Sequence, residues 1–185
     1  LLDYIGGKNL LALNVLSVFD KLINSVSQSV KCGILTGSVV VIPKSAEEIL
    51  YKLVEKYKID KKNVITSEFD ANHIRVETYG SVSIVPVITE LFSLGEINIL
   101  VGTQSLLGEG WDAPCVNSLI IASTVGSFML SNQIRGRALR IDRNCPKKAA
   151  NIWHLVSLSQ GDASTDLDIV EKRFNTFEGI SFVDD

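Results

Sequence analysis

At 185 residues and 20.2 kDa the chain is one ordinary domain, or a domain with a short appendage, and large enough to bury a core. Its 46% hydrophobic and 21% charged residues read as soluble and globular, which excludes a disordered, collagen-like or coiled-coil chain. The net charge of −3 is no sign of a general nucleic-acid binder, and no apolar run approaches the ~18–20 residues that span a bilayer.

The first thirty residues lack the basic head and small-residue cleavage site of a signal peptide, and the sequence begins at Leu1 rather than Met, as expected of a piece of a longer protein. Cys32, Cys115 and Cys145 are odd in number and far apart, so neither a disulfide framework nor a zinc site is expected; no metal ligands are read, and a reducing cytoplasm is the expected setting. The charge is unevenly spread. Of six arginines, four are Arg135, Arg137, Arg140 and Arg143, with Lys147 and Lys148 just beyond and only Asp142 among them. Such a cluster is either a solvated basic face or a site for phosphate or carboxylate oxygens, which guanidinium groups hold in a planar fork.

From about Asn9 to Ser29, apolar residues at Leu10, Leu13, Leu16, Phe19, Leu22, Ile23 and Val26 predict one amphipathic helix. Gly6-Gly7-Lys8-Asn9 lacks the spacing of a phosphate loop and reads as a turn. Val39 to Ile42 is a continuous β-branched run, the pattern of a strand buried on both faces of a parallel sheet. Ser45 with Glu48 reads as a capping box, opening a helix whose face is Ile49, Leu50, Leu53, Val54 and Tyr57. Asn63 to Thr66 is a short strand. Pro86 opens the next helix, with Val87, Ile88, Leu91 and Phe92 inward and Gly95 as its stop. Strands follow at Ile97–Val101, Ser118–Ala122 and Asn151–Val156. Helices are expected at Ser127–Ile141 and Ser164–Phe177, the latter with Leu167, Val170, Phe174 and Phe177 as its face. Strands alternating with helices predict an α/β fold: a doubly wound, mostly parallel sheet flanked by helices.

In such a sheet ligands bind beyond the carboxyl ends of strands. Two segments stand there. In the first, running from Val101 to Pro114, a Gly-Glu-Gly turn lets backbone approach a ligand. Asp112 offers a carboxylate to a ribose hydroxyl, and Thr103 and Gln104 offer groups to a nucleic-acid phosphate. In the second, Gln133, Arg137 and Arg140 are spaced four and three apart, on one helix face. Gly136 lies between them, where it costs about 1 kcal/mol against Ala, and close approach of another backbone or a ligand is the usual reason. Two arginines there could neutralise charge on a transferring phosphate.

Together the segments resemble motifs V and VI of superfamily 2 helicases and translocases: G-T-x-x-x-x-x-E-G-x-D from Gly102 to Asp112, then Q-x-x-G-R-x-x-R from Gln133 to Arg140. Val39 to Glu48 resembles motif IV. The resemblance covers about Ser38 to Leu158. It implies the C-terminal, second RecA-like motor domain of the DEAD/DEAH-box and type III restriction-like branch. On that basis residues 1–30 are an N-terminal helix, 31–160 the RecA-like domain, and 161–185 a C-terminal helix and tail. Arg140 is then the arginine finger and Arg137 a second γ-phosphate contact. Gln133 opens motif VI, and Asp112 with the Gly110 backbone holds the nucleotide ribose. Lys44, Ser45, Thr103 and Gln104 touch nucleic acid.

The chain contains no G-x-x-x-x-G-K-[ST] loop and no D-E-x-H/D segment, the parts that bind ATP and Mg²⁺ in the first motor domain. By this reading the parent hydrolyses ATP, and this chain alone does not. Its partners would be the N-terminal RecA-like domain of the same parent and a DNA or RNA backbone. The Gly-Glu-Gly-Trp-Asp form leans toward DNA. The alternative is a non-catalytic RecA-like module that binds nucleic acid or protein. Trp153, in a strand, reads as core, whereas Trp111 is open to core packing or base stacking. His73 and His154, with no carboxylate or cysteine partner expected at useful spacing, read as structural.

Overall fold

An apolar run without alternation needs cover on both sides, and in the computed structural model Val40, Val41 and Ile42 receive it: Val40 and Ile42 face one core cluster, Val41 another. The structure describes residues 14–103, 111–122, 128–143, 145–156 and 165–174. They belong to two compact units, Leu1–Trp111 and Asp112–Asp185.

The first unit runs α1 (Val15–Ser25), β1 (Cys32–Leu35), β2 (Val40–Pro43), α2 (Glu47–Lys56), β3 (Val64–Glu68), β4 (His73–Thr78), α3 (Val85–Ser93) and β5 (Ile99–Gly102). The strands form one sheet in the order β3-β4-β2-β1-β5. Only β1 with β5 is parallel; β1–β2, β2–β4 and β3–β4 are antiparallel. The α/β class holds, but a mostly parallel sheet does not describe this unit. The reason lies in two strands that the expected series omits, β1 and β4. Each is joined to its neighbour by four residues, Thr36–Val39 and Phe69–Asn72, and a parallel return needs a crossover of a dozen or more. Thr36 closes the first turn, its Oγ1 accepting from the Val39 N–H at 2.8 Å, and Asp70 closes the second by accepting from Asn72 and His73.

Helices cover both faces of this sheet. Leu50, Leu53 and Val54 of α2 and Val87, Ile88 and Leu91 of α3 are buried in one cluster with Leu35, Val40 and Ile42. Phe19 of α1 seals the other with Cys32, Ile34 and Val41. α1 begins at a capping box: Asn14 Oδ1 accepts from the Ser17 N–H at 2.8 Å, and Ser17 Oγ accepts from the Asn14 N–H at 3.1 Å. Ser45 does not cap α2. A 3₁₀ turn at Lys44–Ala46 leads in, Ala46 takes the cap position in helical backbone without a side-chain bond, and Glu48 pairs with Lys52 instead. Tyr57, expected inward, is the exposed C-cap. α3 ends as expected: Gly95 has φ +77°, the left-handed region open to glycine.

The second unit contains β6 (Ser118–Ile121), α4 (Phe128–Ala138), β7 (Asn151–His154) and α5 (Thr165–Phe174). β6 and β7 are parallel, Ser118 opposite Asn151 through Ile121 opposite His154, with α4 in the crossover. Here the βαβ expectation is met. Ile121 and Ile134 are buried together, with Leu119 and Ile152 packed against them. Trp153 is not core: it is 60% exposed and pairs across the strands with Ile120, itself 61% exposed. On α5, Phe174 meets the His154 ring edge-on yet stays exposed. No described helix is long and apolar enough to cross a membrane.

Candidate functional site

The chain enters the second unit at Asp112, and within that unit Asp112 Oδ1 accepts from Arg140 Nη1. Both side chains are open, at 60% and 47% exposure, so the pair stabilises the fold by about 0–1 kcal/mol. Arg140 does not sit on the helix face predicted for it. α4 ends at Ala138, and Arg140 lies in the following turn, where its N–H reaches the Arg137 carbonyl at 3.3 Å. The spacing of Gln133 and Arg137 does fall within the helix; Gln133 is exposed and Arg137 half-buried. Gly136 is exposed too, and a Cβ built there meets nothing within 4 Å, so no described part of this chain requires glycine at that position.

Lys148 ties the two segments together. Its Nζ donates to the carbonyls of Pro114 (2.6 Å), Val116 (2.9 Å) and Ala138 (2.9 Å). The first two belong to the stretch after Asp112; the third is the last residue of α4, two before Arg140. An ammonium has three N–H donors, and here each has an acceptor. The Ala138 carbonyl is one of those a helix end leaves without an internal partner, at the negative pole of the helix dipole. Sequence reasoning placed Lys148 only in a basic cluster, because nothing in its spacing shows which carbonyls converge on it.

In the first unit β1, β4 and β5 run in one direction and end at one edge of the sheet. Thr103 stands there, one residue past the Leu35–Gly102 pairing. Lys44 and Ser45 do not. They follow β2, which runs the other way, so they lie at the opposite edge, about 13 Å away along four strand residues. Both are exposed. Gln104 and Gly110 lie outside the described residues.

The Thr103 edge also holds a cleft of about 600 Å³ that the sequence reading passed over. Thr36, Gly37 and Ser38 line it from the β1–β2 turn, Thr78 to Ser81 from the end of β4, and Ser83 to Val85 from the start of α3. Arg75 lines it as well, with its Nε 3.1 Å from Glu77 Oε1. The signal was present in Tyr79-Gly80-Ser81-Val82-Ser83, a glycine- and serine-rich link before a helix.

Trp111 is a core residue: it is 7% exposed, its Nε1 donates to Thr89 Oγ1 at 2.9 Å, and its ring packs beside Phe92. Base stacking is therefore not its role. His73 is structural as expected, but it does have a carboxylate partner, with Nδ1 2.9 Å from Asp70 Oδ1. Burial raises the Asp70 pKa, but bonds from the Asn72 N–H and from the His73 ring and N–H outweigh that and hold it below the usual range. Neither a family model, nor a curated protein, nor a solved structure matches the sequence.

Proposed function

We propose that this chain is the C-terminal, RecA-like motor half of an ATP-dependent, cytoplasmic helicase or translocase acting on DNA. The observation that carries the reading is the Asp112–Arg140 pair. These residues lie 28 positions apart, and each is among the members of its motif that the resemblance assigns to the nucleotide. A carboxylate with a ribose to hold and a guanidinium with a γ-phosphate to meet belong beside one nucleotide.

The chemistry asked of the pair is modest. Asp112 holds the Arg140 guanidinium in position until a phosphate competes for it, and the exchange costs little because the pair is exposed. Arg140, joined by Arg137, then neutralises charge that grows on the equatorial oxygens during phosphoryl transfer. The released Asp112 carboxylate accepts from the ribose. ATP and Mg²⁺ are held chiefly by the N-terminal motor domain, since this sequence has no phosphate loop. Thr103, with the hydroxyls of the cleft beside it, suits contacts to a nucleic-acid backbone. Lys44 and Ser45, at the other edge, would touch a different stretch of it.

The test is steady-state ATPase of the parent protein with saturating DNA. Arg140→Ala should lower kcat by ~10³–10⁵ and largely keep ATP binding, and Arg140→Lys should rescue little, because an ammonium lacks the planar fork. Arg135→Ala is the control and should be mild. An Arg140→Ala enzyme within about tenfold of wild-type kcat sinks the assignment.

A further inference from the structure

We infer that Lys148 is the positioning residue of this site: its ammonium clamps the Asp112 segment to the end of the arginine helix and thereby sets Arg140 against Asp112. The geometry belongs to the second unit alone and stands without the motor reading; only its consequence for ATP hydrolysis rests on that reading.

Three features point this way. First, the acceptors come from two separate places, Pro114 and Val116 on one side and Ala138 on the other, so the bonds join segments and do not merely satisfy one. Second, the joined points lie close in sequence to the functional pair, two residues from Asp112 and two from Arg140. Third, the surroundings are tight at both ends. Ala113 and Val116 are buried, with the Val116 N–H on the Ala113 carbonyl at 3.1 Å. Lys148 is itself placed by successive turns in which the Cys145 N–H reaches the Asp142 carbonyl and the Lys148 N–H the Cys145 carbonyl.

The exposed Asp112–Arg140 pair is too weak to hold two flexible side chains by itself. Charge-assisted bonds to carbonyls are stronger, and an ammonium at a helix C-terminus has the favourable sign. A point donor with three N–H groups suits three converging carbonyls; the flat guanidinium fork does not. Lys148 touches no reacting atom in this arrangement. It acts through the two residues that it aligns.

The experiment uses Lys148→Met, which keeps the stem and removes the ammonium, in the 185-residue chain. The Arg140 side-chain N–H resonance, assigned by its loss in Arg140→Ala, reports the pair in ¹⁵N spectra. Asp112→Asn should move that resonance to the position of a free arginine, and Lys148→Met should move it to the same place at a temperature where thermal unfolding shows the variant folded. Lys148→Arg should not restore it. If Lys148→Met does not fold, Lys148→Gln, with two donors in place of three, takes its place.

An unchanged Arg140 resonance in the folded variant, while Asp112→Asn shifts it, overturns the clamp. In the parent, Lys148→Met should lower kcat by about 10²-fold, the scale of an ångström-size misplacement, and leave the KM for ATP nearly unmoved. A merely stabilising lysine would lower the melting temperature with rate per folded molecule intact, and that pattern also overturns the inference. If Arg140→Ala itself leaves the rate untouched, the motor reading fails and the clamp is judged by the resonance alone.

Discussion

The two units bury their sheets differently. In the first, the central strands are closed in from both sides: Ile34, Leu35, Val41 and Ile42 are all 0% exposed, and helices lie on either face. In the second, the two-stranded sheet packs one face on α4 and leaves Ile120 and Trp153 largely open. The residues matched to nucleotide chemistry, among those described, lie in the second unit. Among the described residues, the deepest burial lies in the first unit, and the second carries the exposed Asp112–Arg140 pair. Strained or exposed arrangements at functional sites are commonly carried by stability held elsewhere in the chain.

That contrast can be broken by substitution. The largest effect on stability is expected at Leu50, fully buried where α2 meets the sheet. Leu50→Ala should destabilise the first unit by about 2–5 kcal/mol, through the lost burial and the cavity left behind. Denaturant unfolding followed by Trp111 fluorescence, with Trp153→Phe as background, reads it. A loss under about 1 kcal/mol would mean that this core is far looser than its burial implies.

A smaller and opposite effect is expected on the arginine helix. Gly136→Ala places a methyl in open space, so urea unfolding of the chain should show a gain of up to about 1 kcal/mol. In the parent the same methyl should lower the ATPase rate, if the glycine is there for the approach of a ligand or of the other motor domain. A stabilised variant with full activity would remove that reason for the glycine.

The smallest effect sharpens the comparison from the first unit's side. Asp70 has its folded pKa held low, so its contribution is fully present above the unfolded carboxylate value of about 3.9 and is lost as pH falls through the lower folded value. Stability measured from pH 5 downward should fall less steeply in Asp70→Asn than in wild type. The difference is modest, because 34% of the Asp70 side chain is exposed and solvent screens the pair. Identical acid limbs would show that the Asp70–His73 contact does not couple to folding.

Much of this architecture could be read from residues alone. The period of Leu50, Leu53 and Val54, and of Val87, Ile88 and Leu91, identified helices that are buried along those positions. The apolar run at Val40–Ile42 correctly announced burial on both faces. Its direction was misread, because two-sided burial is a property of layers and says nothing about whether a strand's neighbours run with it. The short links Thr36–Val39 and Phe69–Asn72 carried that information, but only once Cys32–Leu35 and His73–Thr78 are seen as strands. Cys32–Leu35 is only four residues long and carries a glycine, which weakens its signal, whereas Ile74, Val76 and Thr78 alternate with His73, Arg75 and Glu77 in an open strand pattern that the expected series leaves out.

For the candidate site the division is sharper still. Local sequence determined which residue types stand together: a carboxylate after a glycine turn, and arginines spaced along a helix. It could not determine that α4 stops at Ala138 and leaves Arg140 in a turn, that Asp112 meets Arg140, or that Lys148 gathers three carbonyls from two segments. Nor could it show that an antiparallel β2 carries Lys44 and Ser45 to the edge opposite Thr103. Propensity and periodicity are summed over neighbours in sequence. Where a helix ends, which carbonyls lack partners and which edge a loop reaches depend on contacts between distant residues, and only the folded chain decides those.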